Sequence, residues 1–407
     1  MPALNRVVVV GASLAGLHAA QALRRQGFDG ELTLVGDEPH YPYDRPPLSK
    51  DFLAGPADAG KLRLRPAADP DALGIRWLLG RRAVGLTRHE LSGGEVVLDD
   101  GEAIGFDGLV VATGARPRAL PGMPEGVGGL HVLRSVDDAR RLRDAFDAGP
   151  ARVVVVGFGF IGAEVAATAR SRALEVTVVE AAEAPLARVL DAEAGLAVAE
   201  LHRGHGVDVR LGATVAGLVA GEGGAMAGVE LGDGTVIEAE VVVVGIGVIP
   251  NTGWLDGAGL TVDDGLVADE TCLAAPGIVV AGDVGRWPNP RFGRLMRVEQ
   301  WDNAVEMGGY AGRRLLAWSR HEAVEPFAPV PWFWSDQYDR KIQLAGVPGP
   351  EVAMAQGTLA EQRFVRVYHR DGVVVGALCW NRPRQAIQAR DLVGREAPID
   401  EALRVLG

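Results

Sequence analysis

Twice in this chain a run of valines ends in a glycine turn, and that repetition constrains everything else. The later copy, residues 153–180, reads VVVVGFGFIGAEVAATARSRALEVTVVE. Four valines give a strand with no polar face, as expected of a strand covered on both sides. Gly157, Gly159 and Gly162 follow in G-x-G-x-x-G spacing. Helix-forming residues continue to about Ala173, and a second apolar strand ends on Glu180. A βαβ unit of this kind binds a dinucleotide. Gly157 allows the tight turn, Gly159 lets backbone N–H groups approach a pyrophosphate, and Gly162 lets the helix pack close to the strand. The helix N-terminus faces the anion, and the Glu180 carboxylate stands where it can accept ribose hydroxyls.

The N-terminus repeats the unit. Arg6–Val10 is a strand, Gly11-Ala12-Ser13-Leu14-Ala15-Gly16 the turn, residues 17–26 a helix and 31–35 the second strand. Ser13 stands where the second glycine is expected. Gly36 stands where Glu180 stands in the later copy, and Asp37 and Glu38 follow. Two such units imply two dinucleotides, or one flavin and one nicotinamide. The fold class is α/β, with two Rossmann-like domains.

At 407 residues the chain exceeds one ordinary domain. A net charge of −12 argues against nucleic acid or an anionic membrane as partner. Lysine occurs only at Lys50, Lys61 and Lys341, which makes Lys50 stand out. Cys272 and Cys379 are far apart, so a disulfide framework, a zinc site and a resident iron–sulfur cluster are excluded. With no apolar run near 18 residues, and no signal peptide, the chain reads as soluble and cytoplasmic.

Between the two units, the prolines of HYPYDRPPLSKDFL (residues 40–53) exclude a helix there, although Pro46-Pro47 can open one at Leu48-Ser49-Lys50. Residues 74–108 read as short strands with turns. Residues 109–112 form a buried strand that breaks at Thr113-Gly114, letting the chain leave the sheet beside a ligand. After Glu180 the pattern predicts a helix over 192–205 and strands near 207–211, 227–231 and 241–245. The segment GIVVAGD is a buried strand ending in Gly282-Asp283, and a helix is expected over 297–309. From about Phe327 prolines and tryptophans shift the composition, and strands at 341–345, 364–368 and 373–379 suggest a further α+β domain.

The motifs VVVVGASLAG, VGDEPHYPYDRPPLSKDFL, VVATGARPR, VVVVGFGFIGAEVA, GIVVAGDV, RVEQWDNAVEMG and PWFWSDQYDRKIQLAG together resemble the NADH-dependent ferredoxin reductases that serve Rieske oxygenases and cytochromes P450. PPLSK and PWFWSDQY discriminate most, because many flavoproteins share the glycine motifs. The resemblance implies a glutathione-reductase-type fold. An FAD-binding domain (1–117 and 247–326) is split around an NADH-binding domain (118–246), and a C-terminal α+β interface domain (327–407) follows.

Roles follow from the resemblance. Gly11, Ala15 and Gly16 would hold the FAD pyrophosphate, and Asp37, or Glu38 in its place, the adenosine ribose. Asp283, after Gly282, would bind the ribitol or pyrophosphate end. Arg45, Lys50, Val84, Arg134 and Trp301 would line the flavin, with Thr113 and Gly114 beside it. Gly157, Gly159, Ile161, Gly162 and Glu180 would hold NADH. Lys50 would place a positive charge near flavin N5, and Glu164 would lie near the nicotinamide; a helix first turn also stabilises a carboxylate through its dipole. Trp334 would line the exit toward a [2Fe-2S] ferredoxin, served by a basic patch drawn from Arg286, Arg291, Arg294, Arg297 and Arg340.

Absences narrow the choice. Residues 40–45 contain no thiol, which excludes disulfide reductases and cysteine-dependent peroxidases. The tail IDEALRVLG is too short for a membrane anchor. The expectation is a flavoprotein that moves a hydride from NADH to FAD and single electrons onward to the ferredoxin, as a monomer or weak homodimer. A rubredoxin reductase or a diaphorase-type NADH dehydrogenase is the alternative, and an apoptosis-inducing-factor-like flavoprotein a further one. Glu180, with Ala181-Ala182 beside it, predicts NADH over NADPH.

Overall fold

The computed structural model describes residues 4–56, 58–64, 71, 73–89, 93–123 and 126–407; residues 90–92 of the strand-and-turn run expected over 74–108 lie outside them. The chain divides into two compact units. One comprises residues 1–44, 62–116 and 249–331, the other 45–61, 117–248 and 332–407.

In the first unit the valines of Arg6–Val10 are buried and form an inner strand. It pairs in parallel with Glu31–Gly36 on one side and Gly108–Val111 on the other. Beyond these lie Ile75–Leu79 and Ile278–Val280, and Leu273–Ala275 closes the second edge antiparallel. Strand order reverses at Arg6–Val10, so Gly11 sits at the switch point where open α/β sheets bind ligands. Helix Trp301–Arg320 packs against helix Leu14–Arg25 at backbone distance. A Cβ on Gly308 would stand 2.4 Å from the Ala15 carbonyl oxygen, and one on Gly312 would stand 2.5 Å from that of Ala19. This helix starts four residues later than the sequence pattern suggests and runs much further. Gln300 is its extended N-cap. Residues 297–299 are held otherwise: Arg297 pairs with Asp264 and Glu299 at 3.3 and 2.5 Å, and Val298 is buried.

The second unit carries a parallel sheet in the order Asp208–Arg210, Glu175–Val179, Arg152–Val156, Val241–Val244, Leu130–His131. Helix Phe160–Ser171 follows the central strand. The helix expected after Glu180 is Ala192–Gly204. Helix Val136–Asp147 begins in a capping box between Ser135 and Asp138. Residues 332–407 add a five-stranded antiparallel sheet, ordered Trp332–Gln337, Arg340–Gly346, Val373–Trp380, Phe364–Arg370, Glu351–Gln356, and helices Pro383–Gly394 and Ile399–Leu406. One apolar core is common to both sheets: Val155, Phe158 and Val165 cluster with Phe333, Ile342, Phe364 and Trp380. Leu53, from the PPLSK stretch, joins it. That stretch forms a 3₁₀ turn, Pro46–Ser49, and one helical turn, Asp51–Ala54. Among the described residues no helix is long and apolar enough to cross a membrane.

Candidate functional site

In the first unit a cleft opens at the carboxyl ends of the parallel strands, lined by Val10, Gly11, Asp37, Thr113, Arg116, Asn251 and Trp254 among others. Gly11 has φ +120°, and a Cβ on it would fall 2.0 Å from the Ala112 carbonyl oxygen. A Cβ on Gly16 would fall 1.9 Å from the Gly11 oxygen, so both positions require glycine for close approach. Helix Leu14–Arg25 starts here with no acidic residue in its first turn and no side-chain cap from Ser13. Its orphan amides and positive dipole end suit an anion. Asp37 is exposed at the cleft wall. Glu38 is engaged instead by the Tyr43 hydroxyl, which donates to its carboxylate. The Thr113-Gly114 break is locked reciprocally: Thr113 Oγ1 donates to the Asn251 carbonyl at 2.8 Å and Asn251 Nδ2 to the Thr113 carbonyl at 2.9 Å. Trp254 has a buried indole N–H with no acceptor among the described residues. The glycine cradle, the bare helix end and this orphan donor fit a dinucleotide such as FAD.

Gly282 and Asp283 form a 3₁₀ turn, and a Cβ on Gly282 would stand 2.9 Å from that of Ala15. Trp301 donates its indole N–H to Asp44 at 2.7 Å, which fixes the ring. Val84 leaves half its surface exposed.

The second glycine turn fits a nucleotide in the same way. Gly157 has φ +96°, and a Cβ there would meet the Gly245 carbonyl oxygen at 2.4 Å; one on Gly162 would meet that of Gly157 at 2.1 Å. A Cβ on Gly159 would meet nothing within 4 Å, so that side of the turn is open to a ligand. The Glu180 carboxylate accepts the Phe158 amide at 2.7 Å and the Ala182 amide at 2.9 Å. It thereby holds the turn while keeping lone pairs for hydroxyl donors. Ile161 is an exposed apolar side chain at the helix start.

The same helix carries Glu164, buried at 4% side-chain exposure and paired with Lys50 at 2.7 Å. Two hydroxyls complete its shell: Ser49 donates at 2.5 Å and Ser335 at 2.7 Å. Thr168, one turn on, donates to the Ser49 carbonyl at 2.8 Å and pins the loop. Arg45 donates to the Arg134 carbonyl at 2.6 Å. Trp334 is half-buried on strand Trp332–Gln337, whose alternate residues Phe333, Ser335 and Gln337 are buried. Phe333 packs on Phe160, ring centroids 4.2 Å apart.

Within the first unit, then, Gly11, Asp37 and Thr113 share a cleft; within the second, Lys50 and Glu164 share a cluster. Ser49, Ser335, Asn251 and Trp254 escaped the sequence reading, although both serines stand inside its most discriminating motifs. The five candidate docking arginines are mostly compensated: Arg286 pairs with Asp263, Arg297 with Asp264 and Glu299, and Arg340 with Asp339. Cys272 and Cys379 are buried, which raises both thiols, that of Cys379 to about 12, so neither offers a thiolate.

Residues 5–308 match the pyridine nucleotide-disulphide oxidoreductase family, and residues 332–404 a reductase C-terminal family. The chain is similar to rhodocoxin reductase of Rhodococcus erythropolis, 40% identical, covering 97% of this chain and 90% of that one. It is 36% identical to putidaredoxin reductase of Pseudomonas putida, covering 99% and 95%. Among solved structures, the covalent putidaredoxin reductase–putidaredoxin complex superposes at a TM-score of 0.91 and 35% identity, over 99% of this chain and 96% of that one.

Proposed function

The chain belongs to the pyridine nucleotide-disulphide oxidoreductase family, among its ferredoxin reductases, and from this we propose that it is an FAD-dependent NADH:ferredoxin reductase supplying a cytochrome P450 or Rieske oxygenase through a [2Fe-2S] ferredoxin. One observation carries the reading: each unit holds its own glycine turn under a helix N-terminus, so a single chain has a site for a flavin and a site for a nicotinamide. The buried cysteines support electron transfer without a thiol relay.

Bound FAD supplies the conversion between two-electron and one-electron chemistry. The protein binds and orients around it. Gly11, Gly16 and the Leu14–Arg25 helix end hold the flavin pyrophosphate, Asp37 its ribose, and Trp301, steadied by Asp44, lines the site. Gly157, Gly159 and Gly162 take the NADH pyrophosphate, and Glu180 the adenosine ribose. Lys50 and Glu164 serve the hydride step: a fixed ion pair offers charge without reorganisation. Trp334 lines the electron exit.

Purified protein should be yellow, carry one non-covalent FAD per chain, and reduce a [2Fe-2S] ferredoxin with NADH under anaerobic stopped flow. A colourless protein that takes up no FAD refutes the assignment. A flavoprotein that reduces dyes but no ferredoxin replaces it with a diaphorase.

A further inference from the structure

Behind Glu164 lies a second polar layer that the mechanism above does not use. Ser335, Gln337 and His202 are all fully buried. Ser335 Oγ lies 2.7 Å from Glu164 Oε1, Gln337 Nε2 lies 3.1 Å from Ser335 Oγ, and Gln337 Oε1 lies 3.0 Å from His202 Nε2. The Tyr338 hydroxyl lies 3.1 Å from His202 Nδ1 and closes the series. Tyr338 is held in a left-handed turn, φ +56°, a conformation a bulky residue adopts only when something fixes it. Its ring stacks on His205 at 3.6 Å.

Elementary donor and acceptor rules give this series a single direction. A carboxylate only accepts, so Ser335 must donate to Glu164. Ser335 then has lone pairs to offer, and the Gln337 amide nitrogen donates to them. The Gln337 oxygen faces His202 as an acceptor, which requires a proton on Nε2. Burial lowers the His202 pKa to about 4, so the ring is neutral and Nδ1 accepts from Tyr338. Every donor points toward Glu164. If Glu164 became a donor to Ser335, the freed Ser335 proton could turn to Gln337, and a flipped Gln337 amide would then donate to His202 Nε2 and leave the ring proton on Nδ1.

Resting on the reading of Glu164 as a hydride-step residue, we propose that Ser335, Gln337, His202 and Tyr338 form a one-way hydrogen-bond chain that positions Glu164 as the acceptor for Lys50. These are positioning residues, and the His202 tautomer reports the direction of the chain. Lys50 faces Glu164 directly, His205 faces Tyr338, and Arg170 lies near Tyr338.

The test uses the FAD-loaded full chain with ¹⁵N-labelled histidine. Proton–nitrogen correlations should show His202 neutral and protonated on Nε2 from pH 8 down to pH 5. In Glu164→Gln, which can donate, an Nδ1–H population should appear. Tyr338→Phe removes one hydroxyl at the chain's far end. It should give a mixed tautomer and a several-fold lower limiting rate of flavin reduction, with the NADH dissociation constant unchanged. Wild-type His202 protonated on Nδ1, or charged at pH 6, overturns the chain, as does an unaltered tautomer in both variants. A slow Glu164→Gln enzyme with a fixed tautomer retains the role of Glu164 and removes the chain. The expected tautomers with an unimpaired Glu164→Gln enzyme do the reverse.

Discussion

Lys50 Nζ lies 2.7 Å from Glu164 Oε2, and the carboxylate is all but sealed from solvent. Removing one member of a buried pair strands the other, at about 3–5 kcal/mol. Lys50→Met should therefore lower stability by about 3 kcal/mol and slow flavin reduction by NADH at least tenfold. Urea unfolding and stopped-flow absorbance measure the two. Lys50→Met/Glu164→Leu removes both charges but deprives the buried Ser49 and Ser335 hydroxyls of their acceptor, so it should regain only part of the stability and none of the rate. Return of both would leave the pair a structural role only.

Glu180 does two jobs, and its replacement should reveal both. Its carboxylate ties the Phe158 and Ala182 amides, and in the proposed role it would repel a 2′-phosphate. Wild-type enzyme should prefer NADH in kcat/KM. Glu180→Ala should lose about 1–3 kcal/mol on NADH, roughly tenfold in kcat/KM, while the NADPH value holds or rises. Equal use of both cofactors by the wild type would refute the assignment.

His202 makes stability depend on pH. Its pKa falls from 6.5 to about 4 through burial, opposed by its bond to Gln337. Between those values the unfolded chain binds a proton that the native chain refuses. Native stability is therefore intact above pH 6.5 and declines as pH drops toward 4, by up to about 3 kcal/mol. Urea midpoints across that window should show the slope, and His202→Gln should flatten it. An identical slope in the variant would assign the effect to other groups.

Strand Trp332–Gln337 sets a packing residue, Phe333, beside Trp334, the residue proposed to line the electron exit. Phe333 is buried on Phe160, so Phe333→Ala should cost about 3–5 kcal/mol. Trp334 is half-buried. Trp334→Ala should leave NADH–ferricyanide activity near wild type and cut ferredoxin-mediated cytochrome c reduction several-fold. A joint fall with loss of FAD would mark Trp334 as structural.

Local features were legible and cross-chain ones were not. Valine strands and glycine turns declare themselves because a glycine turn followed by a helix is a property of adjacent residues; Arg6–Val10 and Arg152–Val156 stand where the pattern put them. Glu164 is expected in the first helical turn, but helix Phe160–Ser171 has no acid there and Glu164 is its fifth residue; its hydroxyl donors, Ser49 and Ser335, come from 115 and 171 positions away. The helix expected from Arg297 begins at Trp301, after extended Gln300, and the Arg297 guanidinium is claimed by Asp264 and Glu299. That same pairing, with Asp263 on Arg286, removes cations the sequence made available for docking. Asp37 and Glu38 differ through Tyr43, whose hydroxyl donates to Glu38, a contact that adjacent residues in the sequence do not declare.

The apolar core common to residues 117–248 and 332–407 bears on how such a chain can diversify. Phe158 belongs to the nucleotide turn, Phe333 to the strand that carries Trp334, and both are buried in one cluster. A lineage that recruits a new electron acceptor by exchanging its last segment would import side chains shaped for another turn. Transplants cut near residue 331 should yield insoluble or flavin-poor chimeras unless Phe160 and its neighbours travel with the graft. If Trp334 has the proposed exit role, choice of partner and grip on nucleotide are heritable as one piece.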